Sequence, residues 1–300
     1  MKDFKLIQTD DGVLSLAARL RDSGCIRAAV DIEGENNLHA YGIRVCLIQI
    51  FDGRQSYVID VLALASHDAL ASLLRDSGWL KVMYDAANDL LAFQHDLGFK
   101  PAPILDVAIA AQLLSKPGGL AALSPNGRSR SSKDRFQKAN WTRRPLSNEL
   151  LEYAVSDVLG LPDIADALLA ELGEKKLMMD FLRRNWERQN AVRRWDPLAN
   201  YVRIPGYHRL RPDARHMARV LWYAREYYAR EFDLSPEMVA SKQLMRRIID
   251  ENAGDAPGMV RLLNENRKRE PIKTAEFAAC LERARRDAPD TEASGGVRGR

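Results

Sequence analysis

Cysteine is scarce in this chain. Three thiols in 300 residues, Cys25, Cys46 and Cys280, form no CxxC pair, which argues against a disulfide framework and a zinc site and leaves reduced, space-filling thiols as the expectation. Long apolar runs are missing too. Nothing approaches the ~18 residues that a membrane-spanning helix needs, and the opening Met1-Lys2-Asp3-Phe4-Lys5-Leu6 lacks the basic flank and long apolar core of a secretory leader. A soluble, cytoplasmic protein with no membrane partner is expected. Apolar residues at 46% and charged residues at 29% are plentiful, enough for one large domain or two small ones and incompatible with a disordered chain.

Charge is unevenly spread. Residues 1–175 hold 19 Lys and Arg against 23 Asp and Glu, while residues 176–300 hold 26 against 18, so the two parts carry -4 and +8. A basic segment joined to a mildly acidic one suits an anionic partner held by one part and worked on by carboxylates of the other. A solvated, arginine-rich helical surface has the same composition.

The first half alternates strand and helix patterns. Ala28–Glu33, Val45–Phe51, Tyr57–Val61 and Leu80–Tyr84 read as strands, with Asp52-Gly53 as the turn of a hairpin between the second and third. Helices are expected over Thr9–Ser23, His67–Asp76, Ala86–Leu97 and Asp106–Leu114, giving a mixed-sheet α/β domain. Residues 116–144, Ser- and Arg-rich over 124–133, have loop composition. Ser147 can cap a helix carrying Leu150, Ala154, Val158 and Leu161, which Gly160 and Pro162 break and restart. Beyond about residue 178 strand signals cease. Arg183–Tyr201 reads as a linker helix, and helical patterns recur from Pro212 onward at Val239–Glu251, Gly258–Asn264 and Thr274–Arg285. The boundaries expected are a first domain over 1–178, a linker over 179–202, a small all-α domain over 203–286 and a disordered tail over 287–300.

Carboxylates carry the chemistry. Asp31 and Glu33, two apart on a strand, leave the same face and need a counter-charge, either a divalent cation or a lysine. Tyr153 and Asp157, four apart on a helix, share a face, as would a core tyrosine beside a surface acid. Asp89 falls near the start of the helix after the fourth strand, with Asp85 as its expected N-cap, and Asp106 is expected to cap the next helix. Trp141 and Arg144 are expected to pin the preceding loop onto the Tyr153 helix, with base contact as the alternative. His67 and His95 are expected at the surface.

Taken in order, D-x-E, a mid-domain Asp and a late Y-x-x-x-D resemble the DEDDy branch of the DnaQ-like 3'-5' exonucleases, and within it the ribonuclease D family. The segments around Val45–Ile50, Asn88-Asp89-Leu90, Ile104-Leu105-Asp106-Val107, Asn140–Ser147 and Glu152–Val158 look like that family's blocks in the family's order. The stretch from Gly206 to about Arg286 resembles a single helicase-and-ribonuclease-D C-terminal (HRDC) domain. The resemblance implies an RNase H-like mixed-sheet exonuclease domain followed by a small all-α HRDC-like domain. Two departures stand out. Gly34 follows Asp31-Ile32-Glu33 where the family has a bulky apolar residue, and Lys133 is the match left for the family's loop lysine.

The resemblance further implies two Mg²⁺ or Mn²⁺ ions, with Asp31 bridging both, Glu33 and Asp157 on the ion that activates water, and Asp89 on the other. Tyr153 would orient and help deprotonate the water. The expected activity is metal-dependent release of 5'-mononucleotides from RNA 3' ends in tRNA or other structured-RNA processing, without a small-molecule cofactor. The alternatives are the same chemistry on DNA and a non-catalytic RNA-binding scaffold, which would need altered acids. His39 is the candidate for contact with the terminal nucleotide. Arg209, Arg211, Arg215 and Arg219 are the candidates for phosphate contact, the last three sharing a face if a helix begins near Arg211. On this reading the chemistry resides in the first 180 or so residues and the segment beyond 203 supplies affinity.

Overall fold

Capping and apolar spacing set the local elements. In the computed structural model, which describes residues 3–123, 136, 138–265 and 267–289, strand β1 (Phe4–Ile7) leads to helix α1 (Asp10–Asp22), where Thr9 accepts from the Gly12 N–H as an N-cap. Strands β2 (Arg27–Asn36), β3 (Ile43–Phe51) and β4 (Ser56–Asp60) follow, then α2 (Asp68–Arg75), β5 (Leu80–Met83), α3 (Ala87–Ala92), β6 (Ile104–Asp106) and α4 (Val107–Leu113). Ser147 accepts from the Leu150 N–H and opens α5 (Asn148–Leu159), and Gly160 and Pro162 restart the chain as α6 (Leu161–Glu174). Helix α7 (Met178–Asn190) completes the run.

Contacts divide the chain into two units: residues 1–35 with 43–194, and residues 36–42 with 195–300. In the first unit the strands form one mixed sheet in the order β1-β4-β3-β2-β5-β6. Strands β3 and β4 are antiparallel, while β1 runs parallel to β4, and β5 parallel to both β2 and β6. Helices α1 and α2 cover one face over Val13, Leu20, Val30, Ile48, Ile59 and Leu73. The other face packs against α4, α5 and α6 through Ala29, Val82, Val107, Leu47, Val155 and Val158. Because Val30 and Ile32 belong to the first layer, the pleat sends Asp31 and Glu33 to the α5 side.

Strand β6 would leave a bare sheet edge, and α7 covers it. Asn185 Nδ2 donates to the Ile104 carbonyl, Asn185 Oδ1 accepts from Asp106 N–H, and Gln189 Oε1 accepts from Ile104 N–H, each at 2.8 Å. A helical i,i+4 step of about 6 Å matches a two-residue strand step of about 6.6 Å, so the two amides imitate a neighbouring strand. Next to it, buried Lys81 on β5 donates to the carbonyls of Asp76, Trp79 and Ala102, and burial pushes its pKa down to about 8.

The second unit holds α8 (Pro212–Glu231), α9 (Lys242–Asp250), α10 (Ala256–Asn264) and α11 (Thr274–Asp287) around Leu221, Tyr228, Met245, Ile248, Leu262 and Phe277. Pro212 occupies the first turn of α8, where its missing N–H costs nothing. No helix among the described residues is long and apolar enough to cross a membrane, and all three cysteines are unpaired.

Several expectations shift. The boundary falls between Arg194 and Trp195 rather than at 178 and 203, because α7 is fastened to β6 and belongs to the first unit. Residues 36–42 are counted with the second unit. Residues 287–289, expected in a disordered tail, are held in place: Ala288 is buried and the Pro289 carbonyl accepts from Arg219. Residues 290–300 and the 124–133 loop with Lys133 lie outside the described residues.

Replacing Asn185 by Ala should cost about 1–3 kcal/mol, because two backbone groups of β6 lose their partners. Asn190→Ala, which removes one exposed bond to the Trp186 carbonyl, should stay within about 0.5 kcal/mol of the parent. Urea denaturation of both variants checks this.

Candidate active site

The pleat of β2 and the turn of α5 meet on one side of the sheet. One carboxylate oxygen from each of Asp31, Glu33 and Asp157 lies within 4.8 Å of the others, and all three side chains are partly buried. Asp89, carried by α3, stands apart from this triple. Burial first, then the charges of Asp31, Asp85 and Asp106, push its carboxyl well above the usual range. Three converging carboxylates with no sulfur or nitrogen donor suit a hard divalent cation such as Mg²⁺ or Mn²⁺.

Tyr153 borders the same triple. Burial, then the charges of Asp157, Glu33 and Asp31, raise its phenol far above its ordinary value, and the hydroxyl bonds to Asp157. Burial and these neighbouring charges favour the protonated, hydrogen-bond-donating phenol. Its ring is stacked by Phe136, with centroids 4.8 Å apart, and by buried Trp141 at 6.3 Å. Arg144 donates from Nε to Asp60 Oδ2 at 2.7 Å, and further to the carbonyls of Trp141 and Cys46. Trp141 and Arg144 are thereby fixed in structural roles beside α5. Nothing in the sequence singled out Phe136.

Asp106 does more than cap α4. Its buried carboxylate accepts from Ala108 N–H at 3.1 Å and also from Asp85 N–H at 2.9 Å and Ala86 N–H at 3.1 Å, the turn that opens the Asp89 helix. Arg188 lies 3.0 Å from Asp106 and 3.1 Å from Asp85. Asp85, with φ of 52°, is not the N-cap expected: Ala86 takes that position without a side-chain cap, and Asp106 from another strand holds the turn before it. Arg188, on a helix read as linker, was not foreseen. Gly34 also has a steric reason: a Cβ there would run into the Arg44 carbonyl oxygen on the neighbouring strand.

The expected nucleic-acid contacts fare unevenly. His39 lies in the 36–42 segment of the second unit, partly buried. Arg209 is exposed, and Arg211 is exposed beside Asp213 and precedes α8 rather than joining it. Arg215 donates to the carbonyls of Leu210 and His208. Arg219 is only 3% exposed and donates to the Pro289 carbonyl and the Tyr207 hydroxyl, so it is withdrawn from any phosphate. His67 and His95 are exposed as expected.

A family model for 3'-5' exonucleases matches residues 4–173, which hold Asp31, Glu33, Asp89, Asp157 and Tyr153. The chain belongs to that 3'-5' exonuclease family. A ribonuclease D of Haemophilus influenzae is 27% identical over 267 residues, covering 87% of this chain and 66% of its own length. Two solved structures share the fold. The structure of Escherichia coli RNase D superposes with a TM-score of 0.70 at 24% identity over 96% of this chain and 76% of that one. The catalytic core of RRP6 from Trypanosoma brucei gives 0.75 at 22% identity over 94% and 80%. The chain spans about two thirds or less of the length of the relatives it matches.

Asp106 and Asp85 should differ in how much they matter to stability. Asp106→Ala strands three N–H groups and Arg188 and should cost about 3–5 kcal/mol, whereas Asp85→Asn, at an exposed side chain, should cost less than about 1 kcal/mol. Urea titrations of the two variants measure the difference.

Proposed function

We propose that the chain is a metal-dependent 3'-5' exoribonuclease that shortens RNA, one 5'-mononucleotide at a time, in the processing of tRNA or other structured RNA. The observation that carries this reading is the convergence of Asp31, Glu33 and Asp157 within 4.8 Å, with the Tyr153 hydroxyl bonded to Asp157. The family supplies the polarity and the hydrolytic class. RNA as substrate rests on the relatives, which bear the names ribonuclease D and exosome complex exonuclease. The scaffold reading would need altered acids, and all four are present.

Water adds to the phosphorus of the last phosphodiester, and the bond to the 3'-oxygen of the penultimate nucleotide breaks. A 5'-mononucleotide leaves and a new 3'-hydroxyl remains. Asp31, Glu33 and Asp157, together with Asp89 from α3, would hold two Mg²⁺ or Mn²⁺ ions. Such ions, when bound, supply an acidified water and positive charge for the phosphate and leaving oxygens. Tyr153 donates a hydrogen bond that orients the attacking oxygen, and Phe136 and Trp141 fix the ring's angle. Arg209 and Arg211, exposed in the basic HRDC-like unit, are the remaining arginine candidates for phosphate contact.

Matched RNA and DNA oligonucleotides labelled at either end test this reading. RNA should lose its 3' label first, as a mononucleotide, and EDTA or Asp31→Asn should abolish the reaction. Tyr153→Phe should slow it by about 10²–10⁴. Release from the 5' end, or full turnover in EDTA, would contradict the proposal, and faster loss from DNA would reassign the substrate.

A further inference from the structure

The loop between β2 and β3 belongs, by its contacts, to the helical unit, although both strands belong to the sheet. Asn37 N–H donates to the Gly42 carbonyl at 2.9 Å and Asn37 Oδ1 accepts from Gly42 N–H at 2.7 Å, closing residues 37–42 into a compact tip. Both of its ends are left-handed, with φ of 57° at Asn37 and 93° at Gly42.

Three side chains and one ring hold that tip. Asp233 accepts from Tyr41 N–H at 3.2 Å, and Ser235 Oγ donates to the Asn37 carbonyl at 2.5 Å. The Tyr41 ring meets Trp195 edge-on at 5.7 Å. The Tyr41 hydroxyl bonds to Glu226, which is 2% exposed and paired at 2.6 Å with buried Arg225. The Arg225 guanidinium in turn covers the Trp222 ring at 3.7 Å. Burying an ion pair is seldom a source of net stability, whereas a fixed charged anchor gives a loop one defined position.

The tip begins four residues after Glu33, about 13 Å along an extended strand. At Gly34 the Arg44 carbonyl of the neighbouring strand occupies the space a Cβ would need, so β2 and β3 lie close together next to the tip. We propose that residues 37–42 form a strap through which the helical unit positions the catalytic strand, with Tyr41, Asp233 and Ser235 as positioning residues for Asp31 and Glu33. The helical unit then sets the rate of the chemical step as well as any grip on RNA, contrary to the expectation that chemistry is complete in the first 180 residues. The inference rests on the exonuclease reading above.

The test uses the full chain and an RNA dinucleotide, with kcat, KM and the Mg²⁺ concentration for half-maximal rate as readouts. An Asp233→Gly, Ser235→Ala double variant removes both backbone anchors, and glycine tolerates the left-handed φ of 48° at position 233. It should lower kcat about tenfold or more and raise the Mg²⁺ requirement, with KM within about twofold, while Asp233→Asn, which keeps an acceptor, restores the rate. Tyr41→Phe, which keeps the ring, should show the same split and serves if the double variant does not fold. A folded variant with wild-type kcat and Mg²⁺ requirement would overturn the strap. If the wild type cleaves no RNA, the exonuclease reading fails. Amide exchange across residues 31–35 then decides the strap separately, since it should rise in the variants and unchanged exchange would overturn it.

Discussion

Carboxylates crowded on one side of a sheet repel one another, and the rest of the first unit is arranged to hold them there. Asp31, Glu33 and Asp157 converge, and the charge of Asp31 reaches Asp89 on α3. The sign of the cost follows from linkage. An acid whose folded pKa is raised contributes stability below its unfolded value, near 4, and loses it as pH rises through the folded value. At neutral pH the unliganded Asp89 therefore opposes folding. Two apolar layers, with α1 and α2 on one face and α4, α5 and α6 on the other, offset that repulsion. A bound cation would remove it.

Tyr153 and Asp89 are also held from behind. Arg144, bound to Asp60, holds the segment that stacks Trp141 on Tyr153. Asp106 and Arg188 hold the turn before α3, and Arg193 adds bonds to the Ala87 carbonyl and Asn88 Oδ1 at the start of that helix. Helix α7 and the residues after it thus buttress Asp89. This explains why α7 belongs with the sheet even though its outer face carries exposed Met179, Leu182 and Trp186.

Most of the site could be read from the sequence because its signals are local. The D-x-E alternation, the Ser147 cap and the i,i+4 step from Tyr153 to Asp157 each need only a few neighbouring residues. What escaped depends on distant partners. Strands β1 and β6 have four and three residues, too few for a period to show. Asp85 looks like a cap, but its own N–H is held by Asp106, 21 residues on, and Ala86 takes the cap position. Arg219 shares the helical spacing of an exposed stripe, yet Tyr207 and Pro289 bury it. The tip at 37–42 is anchored nearly 200 residues away.

The central claim is that the carboxylate cluster is a cation site held under electrostatic strain. Thermal melting of the wild type and Asp31→Asn, each in EDTA and in saturating Mn²⁺, tests it most directly. The wild type should melt higher with Mn²⁺, as expected for a ligand bound only by the folded state. Asp31→Asn should melt above the wild type in EDTA and gain little from the metal. A wild type indifferent to Mn²⁺, together with an Asp31→Asn variant less stable than it in EDTA, would contradict the account.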